Sequence, residues 1–208
     1  SSGYSSIYIN GGQVDNKGIE ASLSLSQALG PVEWNSTLTY TINRNKIKKL
    51  LKPTTLKDGL LVEQDMLDLD GVGNVKTRLF EGGSVGDLYV TALRTDEHGY
   101  IDVDYVNNTV SVDGNAGERG DGWIYAGNSQ AKYTMGWRNS FSWKGLTLGF
   151  LINARVGGVC VSMTQALMDS YGTSKATADA RDAGGVMING YLVPDVQKYY
   201  QTVGTGAG

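Results

Sequence analysis

The chain has 208 residues, a formal net charge of -3, 19% charged residues and 29 glycines, about twice the usual glycine share of roughly 7%. With 12 tyrosines, 4 tryptophans, 3 prolines, one cysteine and one histidine, it does not read as a disordered chain, a disulfide-stapled miniprotein or a zinc module. Net negative charge leaves no global basic field for nucleic acid, and no apolar run approaches the roughly 18 residues of a membrane helix, which leaves a strand-built membrane protein open.

Strict alternation begins at Ile19. Ile19, Ala21, Leu23 and Leu25 share one face, with Glu20, Ser22, Ser24 and Ser26 opposite. After a break at Leu29-Gly30-Pro31, Trp34, Leu38, Tyr40 and Ile42 alternate with Asn35, Thr37, Thr39, Thr41 and Asn43. A second pair follows. Tyr133, Met135, Trp137, Phe141 and Trp143 lead through Lys144-Gly145 to Leu146, Leu148, Phe150, Ile152 and Ala154. Opposite them lie Thr134, Gly136, Arg138, Ser140, Ser142 and Lys144, then Thr147, Gly149, Asn153 and Arg155. Each segment runs for about 10 residues, long for a soluble strand and right for a tilted membrane-spanning one.

The connections are unequal: two tight hairpins, and two long excursions over 45–130 and 157–194. That asymmetry predicts an all-β fold, an antiparallel segment of a transmembrane β-barrel with long extracellular loops, one containing short α-helices. The first excursion is basic over 44–57 and acidic at Glu63, Asp65, Asp68 and Asp70. Short strands are expected at 84–93 and in a hairpin pairing 100–106 with 109–112 across Asn107-Asn108. In the second, Ser162 and Gln165 have capping-box spacing before one helix stopped by Gly172, and a further helix covers 174–183.

In lipid, strands must close on themselves and present an apolar face outward. Trp34, Tyr40, Trp137 and Trp143 are then the membrane girdle, and Arg138 and Arg155 face the lumen. Loop aromatics and amides that would hold a ligand by stacking and hydrogen bonding are Tyr89, Trp123, Tyr125, Asn128 and Tyr171. No catalytic residue and no cofactor is assigned. His98 reads as an exposed turn residue, and Asp68/Asp70 and Asp102/Asp104 as solvated loop charge rather than a hydrolytic pair. Asp68-Leu69-Asp70-Gly71 and Asp113-Gly114-Asn115 are weighed as calcium loops but lack full EF-hand spacing. The basic stretch 44–57 is weighed as a contact for lipopolysaccharide phosphates or for a partner's acidic face, against a solvated loop as the default.

Five elements, in order, resemble the SusC/RagA family of TonB-dependent outer membrane transporters. Asn16-Lys17-Gly18-Ile19-Glu20 is similar to its NKG-(I/F)-E element, and Trp34…Asn43-Arg44-Asn45-Lys46-Ile47 to its Trp-…-Asn-x-Asn-Lys strand exit. Glu81-Gly82…Val85-Gly86-Asp87-Leu88-Tyr89, Gly127-Asn128…Tyr133 with Asn139-Ser140-Phe141, and Arg155-Val156-Gly157-Gly158 resemble three more, with Ala131 where the family has Pro.

The resemblance implies that residues 1–208 are part of a longer barrel, without its plug, N-terminal extension and final strands. It implies import of glycans, peptides or other oligomeric nutrients across the outer membrane of a Gram-negative bacterium. The partners it implies are a SusD-like surface lipoprotein, outer membrane lipid, and TonB through a region not in this chain; it implies no covalent chemistry and no nucleic acid. A soluble secreted β-rich adhesin or carbohydrate-binding module is the alternative, and a β-sandwich glycosidase a third reading.

Overall fold

A computed structural model describes residues 12–50, 54–57, 60–63 and 65–203. Lys52 and residues 204–208 lie outside the described residues, as do the side chains of Lys57, Glu63 and Asp70. Strands make up 54% and helices 14%, and the pairing is mostly antiparallel. In chain order the elements are β1 (Gly12–Leu29), β2 (Val32–Leu50), β3 (Thr54–Lys57), β4 (Leu60–Glu63), β5 (Met66–Val72), β6 (Val75–Phe80), β7 (Asp87–Thr91), β8 (Val103–Asp104), β9 (Thr109–Val110), β10 (Trp123–Asn128), β11 (Tyr133–Trp143), β12 (Leu146–Val156), α1 (Met163–Ser170), α2 (Lys175–Asp182), β13 (Val186–Ile188), β14 (Tyr191–Val193) and α3 (Val196–Val203). The chain forms two compact units: residues 1–66, 80–85 and 128–158 make the first, and 67–79, 86–127 and 159–208 the second.

The first unit is built on an open sheet in the order β1-β2-β11-β12. Both outer hairpins close through two residues. Gly30 takes φ 62 between Leu29 and Val32, and Lys144 (φ 45) with Gly145 (φ 86) joins Trp143 to Leu146. Positive φ at the first central position in Gly30-Pro31, and at both in Lys144-Gly145, gives turns whose twist matches the flanking strands.

Register then lines up the alternation read from the sequence. Leu29 faces Val32, Leu23 faces Leu38 and Ile19 faces Ile42; Leu38 faces Trp137, which faces Ile152. The rows run from Leu29–Val32–Trp143–Leu146 at the turn end up to Ile19–Ile42 and Tyr133–Val156. Much of this face is open: Leu23 is 71% exposed, Leu146 70% and Leu148 69%. The opposite face carries Ser, Thr, Asn, Gly, Glu and Arg, cross-linked by Ser24–Thr37 (3.1 Å) and Ser142–Thr147 (3.1 Å) hydrogen bonds.

Alternation conceals four exceptions, of which Gln27 stands on the apolar face opposite Trp34. Leu151 stands on the polar face, opposite Arg138. Ser36 and Asn139 stand opposite each other on the apolar face, and Asn139 also faces Phe150. The aromatic neighbours explain why two polar residues are tolerated there. Trp34 stacks on Phe141 (centroids 6.2 Å), Phe141 on Phe150 (6.4 Å), and Trp137 meets Phe150 edge-on (5.8 Å). Asn139 is 1% exposed beneath them. The indole N–H of Trp34 donates to its Oδ1 at 3.0 Å, and that of Trp137 donates to Ser36 Oγ at 3.0 Å. An indole can only donate, so the Asn139 carbonyl must face Trp34; its Nδ2 is left without a partner among the described residues.

β2 continues past Asn45 to Leu50, further than the sequence pattern indicated. The 80–85 segment explains the extension by covering it. Ile47 N–H donates to Gly83 O (2.9 Å), Gly82 N–H donates to Ile47 O (2.8 Å), and Asn45 Oδ1 accepts from Ser84 Oγ and Val85 N. Ile47 is 2% exposed as a result.

The second unit holds the sheet β10-β7-β6-β5 and a small core of Val103, Val110, Ile188 and Val193. Leu93, Ile101, Tyr191, Tyr199 and Val203 pack around that core. The 100–112 hairpin forms across Asn108 at φ 52, with the Asp104 carboxylate accepting from Val106 N, Asn107 N and Asn107 Nδ2. Ser162 caps α1 through Gln165 N, and Ser174 caps α2 through Thr177 N. The β13–β14 hairpin and α3 add structure that the 157–194 reading did not contain.

Trp34→Phe keeps the stack on Phe141 but strands the buried Asn139 carbonyl. It is expected to cost about 1–3 kcal/mol in urea denaturation. The double variant with Asn139→Leu removes both partners and is expected to recover most of that loss.

Candidate functional site

One face of the β10-β7-β6-β5 sheet gathers most of the loop residues singled out from sequence. Lys76 on β6 is in register with Tyr89 on β7. Alternation then puts Arg78 on the same side, and its guanidinium lies 5.1 Å from the Tyr89 ring centre. Tyr125 on β10 meets Tyr89 edge-on, with centroids 5.6 Å apart, and its hydroxyl donates to Asp87 Oδ1 at 3.4 Å. Trp123, two residues before Tyr125, has the Lys76 ammonium 3.9 Å from its ring centre.

Arg78 is the centre of this face. It is 2% exposed, and burying a guanidinium is costly unless it is both paired and hydrogen-bonded. Its Nε donates to Asp68 Oδ1 at 2.8 Å and its Nη2 ion-pairs with Asp121 Oδ2 at 2.7 Å, while Lys76 also ion-pairs with Asp68. Burial alone would raise the Asp68 carboxyl; the hydrogen bonds and charges of Arg78 and Lys76 outweigh it and hold the group below the usual carboxylate range. At Asp121, burial again raises, and Arg78 with the Trp123 backbone N–H lowers further. Burial beside the Asp87 charge pushes the Tyr89 and Tyr125 hydroxyls up, so both stay protonated donors.

The cations therefore occupy one ring face each of Trp123 and Tyr89. Tyr125, 56% exposed, is the aromatic of the cluster most open to a ligand. The arrangement offers an exposed aromatic edge whose hydroxyl is anchored on the buried Asp87 carboxylate, which suits stacking of a polyhydroxylated ligand.

Asn128 and Tyr171 are placed differently. Asn128 Oδ1 accepts from Gln130 N at 2.8 Å, shaping the turn before β11, and Tyr171 caps the C-terminus of α1 at 78% exposure. Exposed Leu167 and Met168 accompany Tyr171 on that element.

In the first unit, Arg155 and Arg138 lie on the polar sheet face. Arg155 donates to Ser129 O at 3.1 Å and lines an open cleft of about 310 Å³ with Thr41, Asn43, Gln130 and Thr134. Of the four girdle residues, Trp143 stands in the row at the hairpin turns. Trp34 and Tyr40 each stand one row in from an end of the apolar face, Tyr40 tilted against Tyr133 at 5.5 Å, and Trp137 stands in a middle row.

Asp68, weighed as a calcium ligand, is engaged by Arg78 and Lys76; Asp113 Oδ1 accepts from Asn115 N at 2.9 Å. Among the described residues no group of three or more His, Cys, Asp or Glu side chains is placed to hold a metal ion. His98 is an exposed turn residue, its N–H donating to Asp96 Oδ1 at 2.8 Å.

The Arg78 network was not read from sequence, although its signal existed: single acids and bases alternate with apolar residues in Met66–Val72 and Val75–Phe80, the pattern of a strand pair with one charged face.

Two outcomes are expected. Because Asp68 and Asp121 have lowered pKa values when folded, they contribute stability that is present above their ordinary unfolded value near 4. That stability is lost as pH falls through the lower folded values. Hydrogen-exchange protection of the 75–91 segment, relative to the intrinsic rate at each pH, should therefore fall on acidification below about pH 4, and Asp121→Asn should weaken that dependence. Gly117, at φ 86 with the position of a Cβ only 2.0 Å from Trp123 O, fixes the loop that delivers Asp121; Gly117→Ala should destabilise the second unit by about 1–3 kcal/mol, read by thermal denaturation.

No family model matches the sequence, and no curated protein matches it either.

Proposed function

We propose that the chain forms part of the wall and outer loops of an outer membrane β-barrel importer of the SusC/RagA type, lidded by a SusD-like surface lipoprotein and driven through TonB. In this reading it takes up glycans or other oligomeric nutrients and performs no reaction on them. The observation that carries the reading is the tall apolar face of the β1-β2-β11-β12 sheet, backed by an all-polar or small-residue face broken only by Leu151.

Its height is the quantitative support. Ile19 and Leu29 bound the apolar rows on β1. Ten residues of antiparallel strand are about 34 Å long. Tilted by about 40–45°, they stand about 25 Å tall, the height of the apolar band of an outer membrane barrel. The two-residue turns lie at one end of the band and the long excursions leave from the other, as barrels arrange their periplasmic and extracellular connections. A soluble protein rarely leaves so large an apolar surface open. No helix among the described residues is long and apolar enough to cross a membrane, so strands are the crossing elements in this proposal.

The second unit then supplies the extracellular excursions. Its Tyr89–Tyr125–Asp87 cluster is the place for cargo, and the exposed α1 end at Leu167, Met168 and Tyr171 the place for the lipoprotein. The same cluster is what favours the alternative, a soluble carbohydrate-binding module, and solubility separates the two. A monodisperse monomer in detergent-free buffer, with no uptake into vesicles, would overturn the importer reading.

The faces give a sharper test. Leu23→Arg places a charge at mid-band on the apolar face and is expected to cost about 2–4 kcal/mol in lipid. Ser24→Arg, one residue along on the polar face, should be close to neutral. Urea denaturation in phospholipid vesicles measures both, and equal costs would count against lipid on the apolar side.

A further inference from the structure

The rows beyond the apolar band carry a second pattern. Continuing the same face upward, Lys17 is directly opposite Arg44, and Asp15 is opposite Lys46. The register then shifts between Gln13 and Val14, so that Gln13 faces Lys49 and Lys48 is the extra residue. Lys48 Nζ reaches Asp15 at 3.8 Å, which places it on this side as well. Five cations, Lys17, Arg44, Lys46, Lys48 and Lys49, thus meet one carboxylate just above the last apolar row.

Two features of this cluster are unfavourable in isolation. Like charges directly across a strand pair destabilise it, yet Lys17 and Arg44 are placed so. Arg44 relieves part of the conflict by donating to Asn43 O (3.1 Å) and Ala131 O (3.4 Å); among the described residues the lysines have no such outlet beyond Asp15. Lys48 keeps 46% of its side-chain surface exposed, and Lys17, Lys46 and Lys49 are exposed. A multiply charged anion above the band would resolve both features.

We propose that this cluster is a binding site for the phosphate of an anionic lipid headgroup, seated in the leaflet from which the long excursions emerge. The inference rests on the barrel-wall reading, because the acyl chains of the same lipid would lie on Ile19, Ile42 and Val156 directly below. Continuity of the apolar rows with the cations selects a lipid over a soluble anion: a headgroup held there keeps its chains on the band without leaving the bilayer. Juxtamembrane lysines and arginines attract anionic lipid in this way, and the attraction weakens with ionic strength.

The test uses a fluorescent label on a cysteine introduced at Ile19, beside the cluster, in a Cys160→Ser background. Leu29→Cys, at the opposite end of the band, is the control position. Each protein is reconstituted into phosphatidylcholine vesicles containing either brominated phosphatidylcholine or brominated phosphatidylglycerol as quencher. The label at position 19 is expected to favour phosphatidylglycerol by about fivefold or more, the label at 29 to show no such preference, and added salt to erode it. Lys17→Gln, Lys46→Gln and Lys49→Gln combined should bring the position-19 preference to unity while leaving phosphatidylcholine quenching intact. Equal quenching by both lipids at position 19, or a preference that survives the triple substitution, overturns the site. Suppression of the preference by millimolar inorganic phosphate at constant ionic strength would assign the cluster to a soluble anion and also overturn it. Absence of quenching by either lipid at both positions would instead overturn the barrel wall itself.

Discussion

Pairing of β2 with β11 is the constraint on which the first unit depends. The β1–β2 and β11–β12 hairpins are local, each closed by a two-residue turn. Joining them brings together residues as distant as Trp34 and Asn139, 105 positions apart. Closing a loop of that length carries a large entropic cost, although one that grows only slowly with further length. The aromatic roof over Asn139 forms only in the observed register: a slip of one residue would turn Trp34 away from Phe141 and send every apolar side chain to the polar face. Buried Asn139 and half-buried Ser36 thus specify a register that Leu and Ile alone would leave loose, because neither indole finds its acceptor in any other alignment.

The second unit meets the same need for specificity with charge. Arg78 is held by carboxylates from either side in sequence, and its guanidinium packs on Tyr89 while Lys76 packs on Trp123. The acids and bases of this face neutralise one another, so what the surface presents outward is aromatic and hydroxyl character. Stability in this unit comes from the small Val103–Val193 core and the charge network together. Acid would loosen the network and leave the core intact.

Much of this was legible in residue pattern. Period-two alternation located all four long strands, Gly30 and Lys144-Gly145 located their turns, and Ser162 and Ser174 located two helices, because each is a local signal. The β13–β14 hairpin was equally local: Asn189-Gly190 sits between Val186–Ile188 and Tyr191–Val193, and both turn residues have positive φ. Its strands are three residues each, too short to show an alternating pattern. Asp195, which accepts from Lys198 N at 3.0 Å and starts α3, was hidden behind Pro194. The Asn139 roof, the Arg78 network and the height of each tryptophan follow from long-range register, which no local window contains. Tyr89, Trp123 and Tyr125 were found by residue type; that cations cover two of them is a tertiary fact.

The chain crosses between its two units five times, at 66/67, 79/80, 85/86, 127/128 and 158/159. Neither unit is therefore a continuous stretch, and a cut made at the ends of the 45–130 excursion would remove from the sheet the very 80–85 strap that covers Ile47. The longest stretch of the second unit bounded on both sides by the first is 86–127. A transplant there would carry Asp87, Tyr89, Asp121, Trp123 and Tyr125 but leave Asp68, Lys76 and Arg78 behind. The two halves of the charge network must consequently change in concert, which makes this face harder to diversify by recombination than by point substitution.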